Sequence, residues 1–254
     1  MAKKEEHKCI ESDDLLNRTK VNIEKFGLQV IMVSSTDYLP SFAYSIGLYE
    51  KYKHPEIICF GLSNKLGHEI INDVASLIKN GETIRANTNY STIFENSKAE
   101  FLSIDPKNID DYFGAAIEYY NSNNFPALQL IWTDENNRFP WEENFQEELI
   151  YTQPLLDRNA DFKFREAKNL GIFTTKQWLE LGEPILRVVH DNDGDWQFLT
   201  ENFMSEDVRI VALEQMVLKD KTLNDIFYLD YGQAAERESV GGEWTIIDEE
   251  EEND

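Results

Sequence analysis

The chain has 254 residues, of which 41% are hydrophobic and 12% aromatic, enough for a sizeable core in one or two domains. Its 48 acidic side chains outnumber 24 basic ones, and the resulting charge of −24 repels nucleic acid and anionic lipid while favouring a cationic protein partner. There is no apolar run long enough to span a bilayer, and the N-terminus MAKKEEHKCIESDDLL lacks the apolar core of a signal peptide, so the sequence predicts a cytoplasmic protein.

From the N-terminus, Ser12 or Asp13 is placed to cap a helix with Leu15, Leu16, Thr19, Ile23 and Phe26 near one face and Gly27 at its end. Leu28 to Val33 reads as a strand. Further strands are predicted at Phe42 to Leu48 and Ile57 to Leu62, joined by a polar connection from Tyr49 to Pro55. Leu66, Ile70, Val74 and Leu77 recur at helical spacing over Asn64 to Lys79, with Lys79 in the last turn and Gly81 beyond it. Phe101 to Ile104 is a short strand, and Asp105-Pro106 opens a helix striped by Ile109, Phe113, Ala116, Ile117 and Tyr120. Leu128 to Trp132 is the next strand, and the polar and aromatic segment after it is expected to wrap the surface.

Strands and helices alternate without a strict βαβ repeat and without a glycine-rich phosphate fingerprint, which predicts an α+β fold with a mixed sheet and packed helices over residues 1–160. The charged, aperiodic stretch Asp157 to Asn169 reads as a domain boundary. A small α+β C-terminal domain, residues 168–247, follows. In it Thr174 or Thr175 is placed to cap a helix bearing Trp178 and Leu179, Asp207 to Leu213 reads as a strand, and Asp220 caps a turn through Leu223 and Ile226. Residues 248–254, DEEEEND, form an acidic tail. Much of the charge excess lies towards this end, since residues 166–254 carry 22 acidic and 7 basic side chains.

The segment ILRVVHDNDGDWQFL, from Ile185 to Leu199, reads as a β-hairpin with a turn holding Asp191, Asp193 and Asp195, and with Trp196 directly behind them. The alternating aspartates imitate a calcium loop, but Gly194 and Asn202 fall where such a loop does not want them, so no metal site is predicted. Two readings remain. In one, Asn192, Asp193 and Gly194 only supply turn geometry, Trp196 is half-buried in the sheet and the carboxylates are solvated. In the other, clustered negative charge and an aromatic anchor meet a basic partner surface.

Catalytic patterns are weak. His7, His54, His68 and His190 form no metal-binding pair and accompany no nucleophile in a known arrangement, while Cys9 and Cys59 are too few for a disulfide framework. The best candidate ligand pocket gathers Tyr44, Ser45, Gly47, His54 and Glu56, because a titratable ring beside a carboxylate can move a proton. Against it stands a structural histidine bonded to a loop carbonyl. No catalytic set and no cofactor are predicted.

Three stretches, GIFTTKQWLELGEPILRVVHDNDGDWQFL, DVRIVALEQMVLKDKTLNDIFYLDYGQAAERE and GGEWTI, resemble a small immunity-protein domain family found beside bacterial polymorphic toxins, the resemblance running over residues 168–247. Its more specific motifs are the HDxDGDWQF turn and the run of Gly232, Ala235 and Arg237. The N-terminal part, with FAYSIGLYEKYKHPEIICFGL, is similar to an uncharacterised bacterial domain family marked by a Tyr-Thr-Ile-Gly-Leu core, here with Ser45 for the threonine, and a His-Pro-Glu triplet. The first resemblance implies binding and inhibition of a cognate protein toxin, and the reading of the hairpin residues places the contact at Asp191, Asp193, Asp195 and Trp196. The alternative expectation is a small-molecule-binding or enzymatic N-terminal domain with a regulatory C-terminal domain.

Overall fold

A computed structural model describes residues 2–202 and 204–248, which form two compact units. Unit 1 runs to Ser35 and resumes over Pro40–Ala160; unit 2 is Thr36–Leu39 together with the chain from Asp161 onward. The change of unit at Ala160 falls inside the charged stretch, but the short piece Thr36–Leu39 is one that composition does not reveal. Both units combine helices with a mixed sheet, and the fold class is α+β.

Unit 1 contains α1 (Ala2–Phe26), β1 (Gln29–Val33), β2 (Phe42–Ile46), α2 (Leu48–Tyr52), β3 (Glu56–Phe60), α3 (Asn64–Lys79), β4 (Asn89–Tyr90), β5 (Ala99–Ser103), α4 (Ile109–Tyr112), α5 (Gly114–Tyr120) and β6 (Ala127–Trp132). The strands form one sheet in the order β1-β2-β3-β6-β5-β4, antiparallel except for the β3–β6 pair. Side chains alternate across it as the two-residue period of a strand requires. Ala43, Ile57, Cys59, Leu128 and Leu130 face α3, whose Ile70, Ile71, Val74, Ala75 and Ile78 complete one core layer. Tyr44, Ile46, Ile58 and Phe60 face the other way, against Ile23 of α1 and Ile109, Phe113 and Ala116 around α4 and α5.

Several expectations need correction. Helix α1 already spans Ala2 onward, so Ser12 and Asp13 lie within it rather than at its start; from Asp14 on, Thr19 and Ile23 are buried, while Leu15 and Phe26 are exposed. The polar connection after β2 contains α2. The helix predicted after Pro106 is broken at Phe113, whose φ of −115° and ψ of 32° leave the helical region. The segment after β6 is not all surface: Asp134 and Phe139 are buried, and Asp134 accepts backbone N–H groups from Asn136 at 2.8 Å and Arg138 at 2.9 Å.

Unit 2 contains β7 (Gly171–Thr175), a π-helical turn (Gln177–Leu181), β8 (Arg187–His190), β9 (Trp196–Leu199), β10 (Val208–Ala212), α6 (Leu213–Lys219), β11 (Gln233–Glu236) and β12 (Thr245–Asp248). Its sheet has the order β10-β7-β9-β8-β11-β12, with β7 and β9 parallel and the other pairs antiparallel. Thr174 and Thr175 belong to β7 rather than to a helix cap, although Thr175 Oγ1 accepts the Trp178 N–H at 3.3 Å. Asp220 does open a 3₁₀ turn, Lys221–Ile226, accepting the Thr222 N–H at 3.0 Å. Asp248 ends β12; residues 249–254 of the acidic tail lie outside the described residues.

Candidate functional site

The acidic tip sits on the β8–β9 hairpin, whose last paired residues are His190 and Trp196. The loop between them is organised by Asp191. Its Oδ1 accepts the N–H groups of Asp193 at 3.1 Å and Asp195 at 2.9 Å, and Oδ2 receives the Gln197 side-chain amide at 3.3 Å. Two backbone bonds, Gly194 N–H to Asp191 O and Asp191 N–H to Asp195 O, both 3.1 Å, close the loop. An aspartate that bonds to its own following backbone fixes turn geometry without help from a partner. Asp193 and Asp195 are left exposed, while Asp191 is half-buried.

Trp196 is an anchor inside the unit, with 1% of its surface exposed. Its ring stacks on His190 with centroids 4.0 Å apart and planes within 8°. Phe164 approaches Trp196 edge-on at 5.1 Å, and Tyr231 lies 4.7 Å from His190. Tyr38, from the Thr36–Leu39 piece, presents an edge to His190 at 4.7 Å and donates its hydroxyl to both oxygens of Glu166, at 2.9 and 2.8 Å. Arg165 lies over the Tyr38 ring at 4.8 Å and donates to the Tyr38 carbonyl. His190 Nδ1 is 2.8 Å from the Leu229 carbonyl, which only accepts, so Nδ1 carries the proton. Burial depresses the His190 pKa against the opposing pull of that hydrogen bond.

The second motif buttresses the first. Gly232 has φ +73°, and a Cβ there would stand 2.7 Å from Asn192 Oδ1 of the turn; its N–H bonds the His190 carbonyl at 2.8 Å. Ala235 is fully buried opposite Val188. Arg237 gives Nε and Nη2 to the Ile185 carbonyl at 3.0 and 2.9 Å, and Nη2 to Asp220 at 2.5 Å. Of the four residues predicted to meet a partner, Asp193 and Asp195 are therefore at the surface, Asp191 frames the turn, and Trp196 holds the turn to the core beneath it.

In unit 1 the predicted pocket residues separate. Ser45, Gly47 and Glu56 converge, joined by Tyr49 and Tyr120, which sequence reasoning did not assign to the site. Glu56 is wholly buried, and its carboxylate accepts the Ser45 hydroxyl at 2.5 Å, the Tyr120 hydroxyl at 2.5 Å, and the N–H groups of Gly47 and Tyr49 at 3.0 Å each. Ser45 Oγ also accepts the Ile57 N–H at 2.9 Å. Burial raises the Glu56 pKa, with the four donors working against the rise. Gly47 makes the bend possible: φ is +112°, and a Cβ would lie 3.1 Å from the Gly27 carbonyl and from Ile23. Chemically this is a saturated carboxyl that ties the end of β2, the start of α2, the start of β3 and the end of α5 together.

Tyr44 and His54 point elsewhere. The Tyr44 hydroxyl accepts the Ala115 N–H at 3.2 Å, and burial pushes its pKa up to about 12. His54 Nδ1 is 2.8 Å from the Pro55 carbonyl, and Nε2 receives the Ile84 N–H at 3.2 Å. The histidine thus bonds loop backbone and is not part of the Glu56 cluster. A signal for Tyr120 did exist, because it lies on the apolar stripe after Pro106; its hydroxyl partner was not legible.

Among the described residues no group of three His, Cys, Asp or Glu side chains could hold a metal ion, and no helix is long and apolar enough to cross a membrane. No curated protein and no solved structure matches the chain. Residues 22–146, which contain the whole Glu56 cluster, match the model of a family described as a domain of unknown function, DUF4262.

Proposed function

We propose that the chain is a cytoplasmic immunity protein that binds and neutralises a cognate bacterial toxin through a basic surface on that toxin. The observation that carries this reading is the hairpin turn, in which Asp191 spends its own carboxylate on the loop backbone and leaves Asp193 and Asp195 exposed on a preformed tip. A tip ordered before binding has little conformational entropy to lose on contact. Clustered carboxylates there attract a basic surface at long range and mimic the phosphates that nuclease-like toxins bind. The charge of −24 and the resemblance over residues 168–247 support the same reading.

The direct test is growth protection. The protein encoded beside this chain in its native genome should arrest growth when expressed in the cytoplasm, and coexpression of the full chain should relieve the arrest. Arrest that persists beside soluble, folded chain, or a neighbouring protein without toxicity, contradicts the proposal.

A further inference from the structure

Burial of Trp196 leaves the acidic tip without an apolar contact, and interfaces draw much of their affinity from such contacts. The unit 2 sheet offers one at its end. Among the described residues, strand β10 pairs with β7 on one side and with no strand on the other. Its Val208 and Ile210, two residues apart and so on one face, are 39% and 68% exposed. An aliphatic strand with an open edge is a template for another strand.

We propose that the free edge of β10 receives an extended, basic segment of the partner protein as an added strand. Backbone hydrogen bonds around Ile210 supply the pairing, since Gln215 already accepts the Ala212 N–H at 3.1 Å and Arg209 already donates to the Val208 carbonyl, and Val208 and Ile210 supply the apolar contact. The charge around the strand selects the occupant. Glu206 and Asp207 precede it and Glu214 follows it; Lys176 acts on Asp207, whose carboxylate already accepts from Gln177 at 2.8 Å, and the strand's own cation, Arg209, donates to the carbonyls of Glu206 at 3.1 Å and Val208 at 2.9 Å, which leaves Glu206 and Glu214 to meet a basic segment. A second copy of a chain of charge −24 would bring like charge to this rim, and a basic segment brings its complement. Other edges fit less well: β4 is two residues long, β1 exposes a single large hydrophobic residue, Met32, and in β12 the exposed Ile246 and Ile247 are adjacent and so lie on opposite faces.

The inference rests on the proposed basic partner, and the test separates the two. The probe is a synthetic heptapeptide, Lys-Val-Lys-Ile-Lys-Val-Lys, beside its counterpart with glutamate for lysine, each added to the full chain. Amide hydrogen exchange should slow by about tenfold or more within Val208–Ile210 with the basic peptide only, and Ile210→Lys should weaken its binding by about tenfold or more. Ile210 is mostly exposed, so the variant should keep the exchange pattern of the unliganded parent elsewhere; Val208→Lys serves if it does not. Binding of the basic peptide without protection of β10 overturns the edge and leaves the basic-partner reading standing. Equal protection by both peptides, no protection by either, or a dimer of the free chain joined through β10 also overturns the inference.

Discussion

Arg237 and Asp220 form an ion pair at 2.5 Å, with the arginine side chain fully buried and the aspartate 13% exposed. Thr222 completes it, giving its hydroxyl to Asp220 at 2.5 Å and accepting from Arg237 Nη1 at 2.6 Å. The pair joins the end of β11 to the turn after α6, so the last residue of the glycine–alanine–arginine motif fastens the sheet to its helical cover. Removing one member strands the other. We predict that Arg237→Met lowers stability by about 3–5 kcal/mol. Burial works to raise the Asp220 pKa, but the bonds from Thr222 and Arg237 outweigh it and hold the carboxyl below its ordinary 3.8. A depressed carboxylate stabilises fully above that value and loses its contribution as pH falls through the folded-state pKa. The gap between parent and variant in urea unfolding should therefore narrow on acidification from about pH 7 to about pH 3. A gap independent of pH would deny the ion pair its role.

Glu56 has the opposite sign. Its folded-state pKa lies above the ordinary 4.5, so the native state holds the proton more tightly and gains stability from it below that value, losing the gain as pH rises through the folded-state pKa. Glu56→Gln removes this titration. Stability of the parent relative to the variant should rise as pH is lowered from about 7 towards 4.5, measured by denaturant midpoints. A constant difference would show that Glu56 does not titrate in this range.

Ser45→Ala tests the same cluster without touching charge. The substitution deletes one donor to Glu56 and the acceptor of the buried Ile57 N–H, and should lower stability by about 1–3 kcal/mol. An unchanged denaturant midpoint would place the cluster outside the cooperative fold.

Tyr38 extends the domain reading. The sequence marks a boundary near residue 160 and gives no sign that Thr36–Leu39 belongs to unit 2. Tyr38 is 2% exposed against His190, Trp196 and Tyr231. Tyr38→Ala should lower stability by about 3–5 kcal/mol and weaken the near-ultraviolet circular dichroism of Trp196, whereas Tyr38→Phe keeps the ring and loses only the bond to Glu166, about 1 kcal/mol. A fragment of residues 161–254 should share the alanine defect. Full stability of that fragment would refute the assignment.

Local pattern was legible where one segment decides its own structure. The period in Asn64–Lys79 and the turn residues of 191–195 specify helix α3 and the hairpin without distant partners. Helix α2 was hidden because five residues are too few for a period, and its start is set by Gly47 and by Glu56 accepting the Tyr49 N–H, a contact seven residues away. The break at Phe113 lies inside an uninterrupted apolar stripe, and its ring is fully buried. The partners of Tyr120 and Tyr38 lie far along the chain, which pattern along a single segment does not encode.

In the proposed complex Asp193 and Asp195 meet a basic surface of the partner. The measurement is the association rate of the full chain with the toxin encoded beside it, by stopped flow, for the parent and for Asp193→Asn with Asp195→Asn. Asp191 is kept because its oxygens hold the loop. At about 10 mM salt, where screening is weak, the double variant should associate several-fold more slowly, and at about 1 M the two rates should converge. Equal rates at both concentrations, with melting temperatures unchanged, would contradict the claim and leave the hairpin as a turn with solvated carboxylates.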